Sequence, residues 1–279
     1  MLRSLGAVRA LGTRDVEDAL EVCAVDPVTN VFVAARIVES GLAGTRGPLF
    51  GYDAGGERAL CWCSANVVPV EASSRALGAL ATKVVRRRTW ASSVFGPADQ
   101  VMDLWGRLER TWGRPREVRP NQYVMTMTGA APTRVVPDPA VRPASPEELD
   151  VVVPAATAMF TEEIGYPPYQ GSGVAYRRGV AGLIERGHTL VRVEEGEVVF
   201  KADLGSVALG VAQVQGVWVH PRWRGQGLAA PAMAAVVEHA RRHVAPTVTL
   251  YVNDFNEPAV RTYQRVGFER TGTFATVLL

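Results

Sequence analysis

The chain has 279 residues, of which 47% are hydrophobic and 21% charged, enough material for two ordinary globular domains with cores of their own. Its formal net charge is only +2, and the densest basic cluster, Arg86, Arg87 and Arg88, closes a helical pattern with no aromatic platform beside it. No nucleic-acid partner is expected, and no run of about 18 apolar residues offers itself as a membrane span.

In chain order, helices are expected at 16–24 and 28–40, the second capped by Asp26 and opened by Pro27. The stretch before them, 1–15, carries Arg3 and Arg9 without a continuous apolar segment, which argues against a secretory signal. Strands follow at 49–52, 59–63 and 66–70, then a helix at 74–86, a strand at 90–95, a helix at 97–112 and a strand at 118–127. Cys61 and Cys63 lie two apart in a strand and so face one side of a sheet. With Cys23 they make three cysteines, too few for a disulfide framework, and a reducing cytoplasm is the expected setting.

Prolines 132, 137, 139, 143 and 146 then interrupt all periodicity. Proline removes a backbone donor and fixes φ, so an extended connector is expected at 131–140, dividing the chain into domains at 1–130 and 141–279. The second half opens with a short strand at 141–143 and a helix to about 161, with Ser145 as its cap and Pro146 in its first turn. After a loop bearing Tyr166, Pro167, Pro168 and Tyr169, a second helix runs to about 186 and closes at Gly187. Strands are expected at 189–193, 198–203 and, as one long element, 207–219. A helix at 228–244 aligns Ala229, Met233, Val236, Val237, Ala240 and Val244 on one face, and a strand at 247–252, a helix at 259–266 and a strand at 269–278 complete the chain. The first half repeats much of this order, so two related α/β domains of α+β character are expected.

Chemistry concentrates in two segments. In Val217-Trp218-Val219-His220-Pro221-Arg222-Trp223-Arg224-Gly225-Gln226-Gly227-Leu228-Ala229, a strand stops, a glycine-bearing loop follows and a helix opens. Helix N-termini leave N–H groups unpaired and carry partial positive charge, and glycines let backbone approach an anion closely, so this junction suits a pyrophosphate. Neither a Walker loop nor a dinucleotide fingerprint fits it. Further on, Asn256 precedes a helix in which Ala259 and Tyr263 stack on one face and Gly267 stands at the end, so a phenol projects beside the preceding strand.

The segment 217–229 resembles the acetyl-CoA-binding motif of the GNAT superfamily of N-acyltransferases, with Arg224-Gly225-Gln226-Gly227-Leu228-Ala229 matching its R-x-x-G-x-G/A loop. The segment 253–268 looks like that superfamily's second signature, and the element order from Val141 onward is that of the GNAT fold. The resemblance implies two tandem GNAT-like domains, each a mixed, mostly antiparallel sheet flanked by helices. The first would be a degenerate copy, because Val68-Pro69-Val70-Glu71-Ala72-Ser73 stands where its glycine loop should be. It implies acetyl-CoA as cofactor, with Val217, Trp218 and Val219 pairing with pantetheine through a bulge, and one N–H there polarising the thioester carbonyl. The N–H groups of Arg224, Gly225, Gln226, Gly227, Leu228, Ala229 and Ala230 would hold the pyrophosphate. Asn253 and Asn256 would complete the cofactor contacts, and Tyr263 would protonate the departing thiolate.

A primary amine arrives mostly as ammonium at neutral pH and needs a proton acceptor; Glu162 and Glu163, ending the first helix of this half, are the candidates. Gln213 and Gln215 cannot act as bases. His239 and His243 are four apart on a helix but have no third ligand, so no metal is expected. The expected reaction is direct acetyl transfer to the primary amine of a small molecule or peptide. A non-catalytic acyl-CoA sensor, an acyl-CoA decarboxylase and an O-acyltransferase remain as alternatives, and the acceptor and oligomeric state are open.

Overall fold

Asp26 accepts the Thr29 N–H at 3.1 Å and launches a helix that Gly41 ends in the left-handed region, so the capping read from the sequence operates as chemistry. The computed structural model describes residues 8–43, 48–129 and 133–279; Arg3 and Pro132 lie outside them. In chain order the first elements are β1 (Arg9–Ala10), α1 (Val16–Cys23), α2 (Pro27–Ser40), β2 (Leu49–Ala54), β3 (Glu57–Cys63), β4 (Asn66–Val70), α3 (Ser74–Val84), β5 (Ser93–Pro97), α4 (Ala98–Trp112) and β6 (Glu117–Met127). There follow β7 (Arg142–Pro143), α5 (Leu149–Ile164), α6 (Val174–Glu185), β8 (Thr189–Glu194), β9 (Glu197–Ala208), β10 (Val211–Val219), α7 (Ala229–His243), β11 (Thr247–Asn253), α8 (Glu257–Val266) and β12 (Glu269–Leu278).

These elements gather into two compact units, neither of them one stretch of chain. The first ends its main stretch at Val124 and adds Tyr251–Asn256 and Arg270–Leu279; the second comprises Met125–Leu250 and Glu257–Glu269. In the first unit β2, β3 and β4 pair antiparallel, β4 runs parallel to β5 through Asn66↔Ser93 and Val67↔Val94, and β12 pairs antiparallel with β5 from Phe274↔Pro97 to Leu278↔Ser93. Its core joins Leu77, Leu80, Leu104, Trp105 and Leu108 to the sheet, with Cys61 and Cys63 buried and unbridged within it. In the second unit β7, β8, β9 and β10 pair antiparallel, and β10 runs parallel to β11 from Val211↔Thr247 to Gln213↔Thr249. Trp218, Val191 and Val198 pack there against Val152, Ala155 and Ala156 of α5 and Val180 and Ile184 of α6.

The main stretches of the two units meet between Val124 and Met125; in the second, Arg134 and Asp138 donate their N–H groups to the carbonyls of Val266 and Pro231, and β12 contributes its ladder to the first. An open strand edge is satisfied by whichever strand offers matching donors and acceptors, whatever its distance along the chain. Two expectations are corrected. The single strand at 207–219 is two strands, because Leu209 and Gly210 both take positive φ, +51° and +72°, and turn the chain through a two-residue hairpin. In addition, 85–90 winds into a 3-10 helix, which delays β5 to Ser93. Among the described residues no helix is long and apolar enough to cross a membrane.

Candidate active site

The centre of the second unit is an irregularity in β10. Gln215 faces Asp203 and Trp218 faces Lys201 on β9, so Gly216 and Val217 together oppose Ala202 alone. That two-against-one count is a β-bulge, which bends its strand and takes backbone groups out of the ladder. Gly216 sits at φ +59°, where a side chain would be strained. The bulge lies just past the three residues through which β10 is in register with β11.

Beyond β10 a single 3-10 turn, Pro221–Trp223, leads into an exposed loop in which Gly225 and Gly227 take φ +76° and +79°. Helix α7 then opens at Leu228 with no side chain capping it. The first N–H groups of a helix have no helical partner, so this start presents donors and a partial positive charge to an anion. At the corresponding junction of the first unit the same kind of donors are already taken. The Ala72 N–H donates to Gln100 Oε1 at 3.0 Å, the Ser73 N–H to Glu57 Oε1 at 3.0 Å, and the Ala76 N–H to Ser73 Oγ at 3.3 Å. A carboxylate standing at that junction also repels phosphate. Calorimetric titration is therefore expected to return one CoA per chain, and two sites of similar affinity would contradict this reading.

Glu162 and Glu163 end α5, which Gly165 stops in the left-handed region. Glu162 is engaged on both oxygens: the Trp218 indole donates to Oε1 at 3.1 Å, and Arg224 Nη2 to Oε2 at 2.6 Å. Arg224 also donates through Nε to the Val219 carbonyl at 2.9 Å, so one brace ties the end of β10, the glycine loop and α5 together. Both charged partners are nearly half exposed, which limits the ion pair to about 0.2–1 kcal/mol. Tyr263, on α8, is buried and meets Phe268 edge-on at 5.9 Å. Burial first, and then the negative charge of Glu163, push its phenol well above the ordinary range, so it keeps its proton at any physiological pH.

Residues 158–268 match the family model described as "Acetyltransferase (GNAT) family", and residues 47–152 the one described as "Domain of unknown function (DUF4081)". Residues 158–268 form a GNAT acetyltransferase domain. The chain is 26% identical over 212 residues to a mycothiol acetyltransferase of Thermobifida fusca, an alignment covering 65% of this chain and 61% of that relative. It is also similar to a GCN5-related N-acetyltransferase from Sphaerobacter thermophilus, with a TM-score of 0.65, 20% identity and coverage of 99% and 96% of the two chains. A tandem GNAT protein from the clavulanic acid biosynthesis pathway aligns at TM-score 0.51 and 13% identity over 97% of each chain. These two likenesses establish the fold: a tandem GNAT architecture with mixed, mostly antiparallel sheets flanked by helices.

Within the GNAT domain, then, Glu162, Trp218, Val219 and Arg224 meet in one network, and Glu163 lies within electrostatic reach of Tyr263. Asn253 and Asn256 also lie within 158–268, in the stretch Tyr251–Asn256 that clusters with the first compact unit. There Asn253 Oδ1 accepts from Gln122 Nε2 at 2.9 Å, and the Asn256 N–H reaches the Asn253 carbonyl at 3.0 Å. The sequence reading missed Lys201, Asp203 and Thr189, buried partners beside the GNAT domain's bulge. Their signal was available: Lys201 and Asp203 are the two charged residues on one face of the run 198–206, which burial tolerates only in pairs.

Proposed function

We propose that this protein moves an acetyl group from acetyl-CoA to the primary amine of a small molecule or peptide, in a direct ternary complex centred on the GNAT domain. The observation that carries the reading is the uncapped start of α7 behind two positive-φ glycines, continuous with a bulged strand. The residues present fit the cofactor. Free N–H groups at the start of α7 would bind the diphosphate, and the 217–219 backbone would pair with the amide-bearing pantetheine arm. Bound acetyl-CoA supplies the activated acyl group.

The chain's own residues would do the rest. A bulge N–H donates to the thioester oxygen as negative charge grows there, an interaction worth most when pre-aimed and water-poor. Glu163, directly or through a water, takes one proton from the acceptor's ammonium. Glu162 is the second candidate, and its two oxygens hold Trp218 and Arg224 in place. As the N–C bond forms and the C–S bond breaks, Tyr263 donates to the sulfur, and the second amine proton balances the one it gives. Its raised pKa makes complete transfer uphill, so a strong hydrogen bond to the nascent thiolate is the larger part of its contribution. The mycothiol acetyltransferase relative supports a small-molecule acceptor for this chain.

The test is thiol release from acetyl-CoA across a panel of amines, peptides and polyamines that includes the acceptor of that relative. The three cysteines of this chain are buried, so its own thiols stay out of the colorimetric signal. Acceptor-dependent release is the expected result. CoA binding with no release under any acceptor would replace the enzyme reading with that of an acyl-CoA sensor.

A further inference from the structure

Lys201 and Asp203 are an ion pair in the interior of a sheet, 1% and 7% exposed. Charges are placed there at a cost, since each loses its water, and the pair stands only if geometry and extra hydrogen bonds compensate. Here they do. The Lys201 ammonium donates to Asp203 Oδ2, and Thr189 Oγ1 on β8 donates to Oδ1 at 2.8 Å. Fold stability alone does not account for this choice, because apolar residues of similar size on β9 would serve a core as well or better.

Their position gives the reason. Asp203 is the partner of Gln215 and Lys201 the partner of Trp218, so the two charged residues bracket the single residue, Ala202, that faces the bulge. A Cβ built on Gly216 would lie 3.1 Å from Asp203 Oδ2 and 3.3 Å from Lys201 Nζ, with the Met159 methyl at 3.1 Å. The pair is thus packed directly under the bulged backbone, at its positive-φ glycine.

We infer that Lys201 and Asp203 are positioning residues for acyl transfer: the pair clamps the Gly216–Val217 bulge so that its N–H aims at the thioester carbonyl. The inference rests on the function proposed above. Salt-bridged to each other along β9, the two side chains fix the spacing on either side of Ala202, which sets how far Gly216 and Val217 on β10 are pushed out. Without the clamp, β10 can relax toward regular pairing or a different bulge, and the donor swings away from the carbonyl while the glycine loop, some ten residues on, is untouched.

The test uses the full chain with carbonyl-13C acetyl-CoA, which needs no acceptor. Calorimetry gives affinity, and the carbonyl 13C resonance reports how strongly the bound carbonyl is polarised. In the unsubstituted protein, binding is expected to move that resonance downfield. In Asp203→Asn and Lys201→Met, affinity is expected to stay near that of the unsubstituted protein while most of the shift disappears. Acceptor-dependent turnover should fall about 100-fold, the scale of a misplaced reacting group. The double variant Lys201→Met with Asp203→Leu removes both charges together, leaves no unpaired ion, and so remains folded if a single variant does not. Its carbonyl shift is expected to be lost at an unchanged thermal midpoint. Folded variants that keep both affinity and carbonyl shift would overturn the inference. No uptake of acetyl-CoA by the unsubstituted protein would instead remove the proposed function, and this inference with it.

Discussion

Gly227→Val is expected to weaken CoA binding about 100-fold while the protein stays folded. Gly227 has φ +79°, and no atom lies within 4 Å of where its Cβ would be, so the added side chain meets open space and clashes with nothing. The penalty is conformational. A β-branched residue at positive φ costs of the order of 1–3 kcal/mol, and the loop escapes that cost by rotating its peptides. Rotation re-aims the N–H groups at the start of α7, and hydrogen bonds to a charged partner contribute about 1.5–3 kcal/mol each. Losing roughly 3 kcal/mol corresponds to about two orders of magnitude in affinity. Gly196→Val is the control: φ is +80° there, also with open space, but the residue lies in the turn between β8 and β9. It should cost similar stability and leave CoA binding alone. Titration calorimetry with thermal unfolding reads both quantities, and unaltered CoA affinity in Gly227→Val would place the pyrophosphate elsewhere.

Tyr263→Phe is expected to lower turnover by about 10²–10⁴, the usual contribution of a placed general acid, with CoA affinity retained. Only one oxygen is removed, and the ring keeps its contact with Phe268, so binding and turnover should separate cleanly. The pH dependence has a definite sign. Because burial and Glu163 raise the folded phenol's pKa, the donor stays protonated past the ordinary phenol value near 10, and its ionisation produces no loss of turnover through that region. For stability the same shift acts the other way. The folded state holds the proton more tightly than the unfolded state, so the stabilisation is complete below about pH 10 and is lost as pH rises beyond it. The phenylalanine variant should therefore lose less stability than the parent between neutral pH and strong alkali. Equal turnover in variant and parent would remove Tyr263 from the chemistry.

The glycine loop, the phenol on α8 and the faces of α7 are local features. Each is settled within one strand, one loop or a few helical turns, where residue spacing translates directly into direction. For that reason Gly225 and Gly227 stand out from their place between a strand and a helix, whereas the role expected of Tyr263 follows from the resemblance to the GNAT superfamily. Leu209–Gly210 escaped because leucine rarely takes positive φ, so Gly210 beside it did not by itself mark a turn.

What only the tertiary structure decided is pairing. That β12 completes the ladder of β5, that Glu162 is occupied by Trp218 and Arg224, and that Lys201 and Asp203 bracket the bulge all depend on register between segments remote in sequence. Periodicity tells which face of a strand a residue occupies; it carries no information on which neighbour stands opposite, because any strand with free donors and acceptors can fill that place.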